Sequence, residues 1–326
     1  MDFLSVQNIT KNIRNVPVLQ DISLAQKQFQ KIAIAGETGS GKSSLLKAIA
    51  GLLQPDSGEI FFKEEKVLGP DFKLLPGHKG IAYLSQHYEL LNNYRVEELL
   101  SYANKLSDEQ ANSLYDICQI SHLLKRRTDQ LSGGEKQRIA MARLLTTSPT
   151  LFLLDEPFSN LDRIHKNTLK EVIHDLGEQL NISFMIVSHD PLDTLSWADE
   201  MIVIKDGSII QKGSPEELYY YPVNEYTAGL LGDYNLLSWE TVQLLGVENA
   251  DKGKKLFVRP EMFAVTPGNL GSVNGVIQKI HFLGGLYALE ILLSTEKVTA
   301  KTIRNDYEKE TLVSISLSER KKPWFL

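Results

Sequence analysis

The stretch KIAIAGETGSGKSSLLKAIAGLL, residues 31–53, limits what this chain can be more than any other part of it. The apolar run KIAIAG suits a buried strand. GETGSGKS, residues 36–43, follows at once, and SSLLKAIAGLL then spaces its leucines and isoleucine as a helix does. The turn fits G-x-x-x-x-G-K-[ST], with Gly36, Gly41, Lys42 and Ser43 at the fixed places. Glycines let backbone N–H groups curl round phosphate oxygens, and a helix N-terminus adds its positive end. Gly36, Glu37, Thr38, Gly39, Ser40, Gly41, Lys42, Ser43 and Ser44 are therefore candidate nucleotide contacts. Lys42 would reach the outer phosphates and the Ser43 hydroxyl would bind Mg²⁺. The alternative is an ordinary glycine-rich turn from strand to helix.

The rest of the chain surrounds this unit with more of the same kind. IAYLSQ (81–86), LFLLDEP (151–157), SFMIVSH (183–189) and EMIVIKDG (200–207) read as strands, with helical patterns between several of them. That alternation predicts a parallel sheet flanked by helices. GLLQPDSGEI supplies a helix stop and a turn through Gly51, Pro55 and Gly58. Residues 92–127 hold no strand-like run and read as a helical insert. The character changes near GDYNLLSWE, residues 232–240. From Lys254 the chain breaks into short strand-like pieces: KLFVRPEMFAVT, VNGVIQKIHFLGG, LYALEILLS and TLVSISLSE. They predict a small all-β barrel or sandwich, with Tyr287, Leu289 and Ile291 on one side of a strand.

Composition narrows the function. At 326 residues the chain has room for one large and one small domain, or two medium ones. A net charge of -6 provides no basic footprint and argues against nucleic acid as the main partner. Cys118 is the single cysteine, which excludes an internal disulfide and a cysteine-only zinc site. MDFLSVQNIT, with an acid at position 2, is not expected to be a signal peptide. No stretch approaches the roughly 20 apolar residues that span a bilayer; work at a membrane would need another chain to cross it.

Three strand ends carry reactive or polar side chains. In open α/β sheets, ligands sit at the carboxyl ends of strands. Asp155 and Glu156 end LFLLDEP. Acids there often cap whatever follows; beside a phosphate loop, Asp155 can hold Mg²⁺ through water and Glu156 can orient or deprotonate an attacking water. His189 ends SFMIVSH, either as a structural histidine or as a γ-phosphate contact, and Gln86 ends IAYLSQ. A second candidate phosphate site opens QLSGGEKQRIAMARLL, residues 130–145. Ser132 and Glu135 form a capping box, S-x-x-E. That explains the serine and glutamate but not two consecutive glycines, which would leave the amides of Gly133 and Gly134 unshielded at a helix start, as suits an anion.

The 36–43 loop, Gln86, LSGGEKQ at 131–137, LFLLDEP, SNLD at 159–162 and His189 occur in one order. Over about residues 1–230 the chain thereby resembles the ATP-binding subunit of an ABC transporter, and LSGGEKQR is similar to that family's signature sequence. YYYPVNEYTAGLLGDYN, FVRPEM and the VNGVIQKIHFLGGLYALEI pair resemble the OB-like domain of importer ATPases of the maltose, polyamine and iron(III) type. The resemblance implies an α/β P-loop cassette over 1–232, with a mixed sheet and a helical subdomain at about 88–145, then an OB-like β-rich regulatory domain over 233–326. It implies ATP and Mg²⁺ as cofactors, with Ser43, Gln86 and Asp155 at the metal and Glu156 and His189 catalytic. Two copies would pack head to tail, each ATP lying between the P-loop of one and Ser132, Gly133 and Gly134 of the other, with Asp162 across the seam. Transmembrane permease subunits, and through them a substrate-binding protein, would be the partners; nucleic acid would not. The protein would sit in the cytoplasm, peripheral on the inner face of the cell membrane.

The sequence departs from that pattern in places. An aromatic residue usually stacks on adenine; counting back from Leu19 in PVLQDISL puts Ile13 there, so aliphatic contact would replace stacking. Ser44 stands for the commoner threonine, and Phe29 and Gln30 stand where Gly-Glu is usual. The rival is a soluble ABC-type ATPase not tied to a transporter. Such proteins usually carry paired cassettes, coiled-coil or zinc insertions, or basic tracts, and none is visible here.

Overall fold

Five strands of the central sheet run parallel, so their carboxyl ends share one edge. The computed structural model describes residues 2–87, 90–159, 161–247, 253–268, 271, 273–294, 296–318 and 323–326. Across the sheet the order is Ser208–Gly213, Glu200–Lys205, Lys31–Ala35, Ser183–Ser188, Leu151–Asp155, Ile81–Leu84, with Ser208–Gly213 antiparallel to its neighbour. Register places Ala35 beside Ser188, and Asp155 beside Val187. The P-loop, the two acids, His189 and Gln86 thus all leave the sheet at the same edge.

These strands read as unbroken apolar runs because both faces are covered. Side chains alternate along a strand. Phe152 and Leu154 enter one core with Phe184 and Ile186, while Leu151 and Leu153 enter a second with Met185 and Val187. The first core is closed by helices Gly133–Leu145 and Arg163–Leu180, the second by helix Lys42–Ile49 and a separate antiparallel sheet. That sheet runs Val16–Gln26, Leu4–Ile13, Ser57–Phe62, Glu65–Lys66. The sequence reading places no strand before Lys31. Leu4, Val6 and Ile9 are buried against Leu19, Ile22 and Leu24, but register shifts after Val6 and Ile9 break the two-residue period that would reveal them.

The insert is helical as expected, with Val96–Ser101, Asp108–Ile117 and single 3₁₀ turns at Ser121–Leu123 and Thr128–Gln130. Ser107 opens the second helix through a capping box with Gln110. Among the described residues, no helix is long and apolar enough to cross a membrane.

Packing divides the chain into Met1–Pro215 and Glu216–Leu326. The second unit holds a five-stranded antiparallel sheet, ordered Phe263–Pro267, Leu312–Leu317, Val273–Phe282, Tyr287–Leu293, Lys297–Thr302, and a three-stranded one, Asn235–Leu237, Leu256–Val258, Trp324–Phe325. Such all-β sheets are consistent with an OB-like domain. Leu289, Ile291 and Leu293 face its core, and Tyr287 is partly buried against it. Residues 216–232 pack with this unit, upstream of the 232/233 boundary read from sequence. The reason is Arg259, whose side chain is fully buried. Its Nε donates to the Tyr219 carbonyl at 3.0 Å, and its Nη1 to those of Ala228 (3.0 Å), Gly232 (2.7 Å) and Asp233 (2.9 Å). The guanidinium also stacks 4.0 Å from the Tyr219 ring centroid.

Arg259→Met should therefore cost this unit about 2–4 kcal/mol, because four carbonyls lose their donor. In calorimetry of the full chain, the transition of residues 216–326 should fall by roughly 10 °C while that of residues 1–215 stays put. Equal shifts in both would mean that the units unfold as one.

Candidate functional site

The P-loop is built from two close approaches. A Cβ at Gly36 would lie 2.3 Å from the Ile204 carbonyl oxygen, and one at Gly41 would lie 2.4 Å from that of Val18. Gly41 also has φ +100°, a backbone that side chains rarely adopt. Glu37, Thr38 and Gly39 form the exposed rim, Ser40, Gly41 and Lys42 are buried, and Ser43 and Ser44 are half-buried in the first helical turn. Lys42 Nζ donates to the Gly36 carbonyl at 2.8 Å and that of Glu37 at 2.7 Å. Burial pulls its pKa below the ordinary lysine value, opposed by the charges of Glu156, Asp155 and Glu37. A cation held inside a ring of carboxylates and loop carbonyls is placed to meet phosphate oxygens.

The acids lie beside it. Ser43 Oγ donates to Asp155 Oδ1 at 2.8 Å, and Tyr83 Oη donates to Asp155 Oδ2 at 2.8 Å. Burial, and then the Asp155 charge, push the Tyr83 phenol well above its usual range, so it remains a donor. Glu156 has φ +50°, a left-handed backbone uncommon for glutamate. Its own N–H is held by the Val187 carbonyl at 2.9 Å, and its carbonyl accepts from Ser159 N at 3.2 Å and Ser159 Oγ at 2.8 Å. These bonds hold the strained turn and aim the carboxylate. Gln86 Nε2 donates to Glu156 Oε2 at 3.2 Å, and His189 Nδ1 lies 3.2 Å from the same oxygen. Five residues predicted from strand ends and the loop thus form a pair and a trio: Ser43 with Asp155, and Gln86 with His189 through Glu156.

The second group is assembled separately. Ser132 caps helix Gly133–Leu145: its Oγ accepts from Glu135 N at 3.3 Å, and Glu135 Oε2 accepts from Ser132 N at 2.7 Å. Asp162 caps helix Arg163–Leu180, accepting from His165 N at 3.0 Å, and its other oxygen lies 2.7 Å from His165 Nδ1. Those two bonds, the backbone one first, hold the Asp162 carboxyl below its ordinary range. The His165 ring packs on Gly134, where a Cβ would lie 2.9 Å from His165 Cδ2. One expectation is corrected here. Gly134 is buried under His165 and its backbone is not bare; Gly133 is the exposed one, where an added Cβ would have open space beyond its own helix turn. In SNLD, position 160 lies outside the described residues.

Tyr83 and His165 escape the sequence reading. Each left a faint signal: a tyrosine in a buried strand needs a partner for its hydroxyl, and a histidine three residues past a cap faces back onto it. Ile13, 42% exposed, ends the Leu4–Ile13 strand opposite Val16, and that hairpin's second strand touches the P-loop at Val18. Ser43 and Asp155 offer hard oxygen donors 2.8 Å apart beside the phosphate cradle, which suits Mg²⁺ bound by one or two protein groups with phosphate and water completing its shell. Among the described residues no group of three or more His, Cys, Asp or Glu forms a metal cage.

Comparison with known proteins agrees in kind. The ABC transporter family model matches residues 19–159. The sulfate/thiosulfate import ATP-binding protein CysA of Synechocystis is 31% identical over 302 residues, covering 88% of this chain and 84% of that protein. The maltose/maltodextrin import ATP-binding protein MalK of Mannheimia succiniciproducens is 31% identical over 313 residues, covering 86% and 83%. Among solved structures, CbiO1 of Clostridium perfringens, part of an ABC transporter complex, superposes with a TM-score of 0.59 at 26% identity, covering 67% of this chain and 90% of that one.

Proposed function

Since this chain belongs to the ABC transporter family of ATP-binding proteins, we propose that it is the ATP-hydrolysing subunit of an importer. It binds MgATP, closes head to tail with a second copy around two ATP molecules, hydrolyses them and drives permease subunits between conformations. The observation that carries this reading is the convergence of Gln86 and His189 on one Glu156 oxygen, beside the Ser43–Asp155 pair. Glu156 takes the proton of the attacking water, while His189 and Lys42 meet the γ-phosphate. Ser43 and Asp155 hold Mg²⁺, with Gln86 close by; the ion supplies positive charge across the phosphate oxygens when bound. Ser132 and Gly133 serve the ATP on the partner's P-loop, with Gly134 packed under His165 behind them and Asp162 at the seam, and Ile13 gives the base an aliphatic contact.

Membrane attachment runs through partners, on the cytoplasmic face. A groove of about 580 Å³, lined by Leu75, Pro76, Ile81, Tyr83, Lys105 and Leu144, opens on the strand that leads to Gln86. Leu75 in that lining is 83% exposed, and Phe72 and Leu74, just before it in the chain, are 68% and 99% exposed, apolar surface that suits a permease loop. Relatives named for sulfate/thiosulfate and for maltose/maltodextrin match at the same 31% identity. We therefore assign cargo selection to the permease and a substrate-binding protein, and a regulatory role to the β-rich unit.

The test pairs two measurements. The purified chain should hydrolyse ATP only with a divalent cation, and a tagged copy should retain a polytopic membrane protein from detergent-solubilised membranes. Cation-dependent hydrolysis by a chain that retains no membrane protein in the second measurement would favour the soluble ATPase. Absence of hydrolysis in both the free and the assembled protein would end the reading.

A further inference from the structure

We propose that Tyr83 is a positioning residue for the magnesium site: its hydroxyl fixes the Asp155 carboxylate in the orientation that Ser43 and the cation share. The inference rests on the MgATP reading above and adds a residue that neither the P-loop pattern nor the strand-end acids point to. Asp155 is 4% exposed, so its carboxylate needs partners for both oxygens. It has them from two sides. Ser43 Oγ meets Oδ1 and Tyr83 Oη meets Oδ2, each at 2.8 Å. One bond would leave the carboxylate free to rotate about its Cβ–Cγ axis; two, to different oxygens, hold that torsion.

The sheet explains how the phenol reaches it. Tyr83 lies opposite Leu153 in the parallel pairing of Ile81–Leu84 with Leu151–Asp155. Asp155 is two residues on from Leu153, and hence on the same face. The tyrosine spans that one step. Tyr83 is partly buried and packs against the core that contains Leu153 and Met185, so packing restrains the phenol as well. Three residues later Gln86 reaches Glu156. One strand thus orients both consecutive acids, Asp155 through Tyr83 and Glu156 through Gln86. Groups that hydrogen-bond a metal ligand set its orientation and basicity, and their loss lowers metal affinity without touching the ligand.

A merely structural tyrosine would not distinguish nucleotide from metal–nucleotide binding. The full-length protein is titrated calorimetrically with a non-hydrolysable ATP analogue, in EDTA and across a series of Mg²⁺ concentrations. Tyr83→Phe keeps the ring. It should leave affinity in EDTA within about twofold of wild type and raise the Mg²⁺ concentration for half-maximal tightening by roughly tenfold or more. Ser43→Ala should shift the same midpoint, and the double variant should shift it by less than the two single effects combined, because both act through one carboxylate. The proposal falls if Tyr83→Phe leaves the Mg²⁺ midpoint unchanged. It falls equally if binding in EDTA weakens as much as binding with Mg²⁺, since the tyrosine would then be propping the loop. If wild-type protein binds the analogue no better with Mg²⁺ than in EDTA, the magnesium reading itself is overturned, and the Tyr83 role with it.

Discussion

Glu156→Gln should lower ATP turnover by about 10²–10⁴-fold while nucleotide affinity stays near wild type. The substitution removes the base and little else. An amide matches the carboxylate in shape and can still accept one hydrogen bond from Gln86. Lys42 is hydrogen-bonded to the loop and Ser43 to Asp155, so the groups proposed to hold the phosphates and the cation keep their bonds, and Lys42 loses only the nearby Glu156 charge. The backbone that aims residue 156, at φ +50°, is fixed by bonds to Val187 and Ser159 that involve no side-chain atom of 156. If hydrolysis is what reopens the closed pair, this variant should also accumulate as an ATP-bound dimer. Size-exclusion chromatography with MgATP reads the dimer and phosphate release reads the turnover. A variant that remains monomeric and turns over at the wild-type rate would remove Glu156 from its role.

Gly133→Asp is expected to abolish ATP-driven dimerisation and to lower hydrolysis by about 10²–10³-fold, the scale of losing one anion-stabilising donor. The structure makes this position a better probe than Gly134. A Cβ at 134 would run into its own chain at His165, so a substitution there disturbs the Asp162–His165 pair as well. At 133 an added Cβ would have open space beyond its own helix turn. Within a single chain, an aspartate in the first turn of helix Gly133–Leu145 should help by about 0.3–1 kcal/mol, through the helix dipole. Opposite a partner's γ-phosphate it should repel. The capping reading and the partner-site reading therefore predict opposite outcomes from one change. Thermal stability and monomer nucleotide affinity hold in both; dimerisation and turnover survive only in the first. Mixing Gly133→Asp with Lys42→Ala sharpens the contrast. In a head-to-tail heterodimer one site would carry both lesions and the other none, so an equal mixture should regain about a quarter of wild-type activity. No recovery, or full activity of Gly133→Asp alone, would count against sites shared between two chains.

Part of this site was open to inspection in the linear chain, for a physical reason. The P-loop is contiguous, and glycine spacing that allows 2.3–2.4 Å approaches of backbone to backbone leaves a mark that composition does not imitate. The acids, Gln86 and His189 were legible because buried parallel strands are apolar throughout, so a polar residue where the run stops marks the sheet edge. The capping box at Ser132 and Glu135 was equally local, needing only a spacing of three.

Other features depended on distance in the chain. Strands Leu4–Ile13 and Val16–Gln26 hide behind register shifts, and Lys297–Thr302 behind a polar alternation, KVTAKT, that resembles surface loop until Val298 and Ala300 are seen in the core. The packing boundary near residue 215 follows from Arg259, which binds carbonyls 26 to 40 residues upstream. Sequence by itself determined that this chain holds phosphates at a strand-to-helix turn and keeps acids at strand ends. Tertiary structure decided which side chains orient those acids: Tyr83 reaches Asp155 across 72 residues, and Gln86 reaches Glu156 across 70. No periodicity links positions so far apart. Only the parallel register of two neighbouring strands sets them on one face, within the length of a single side chain.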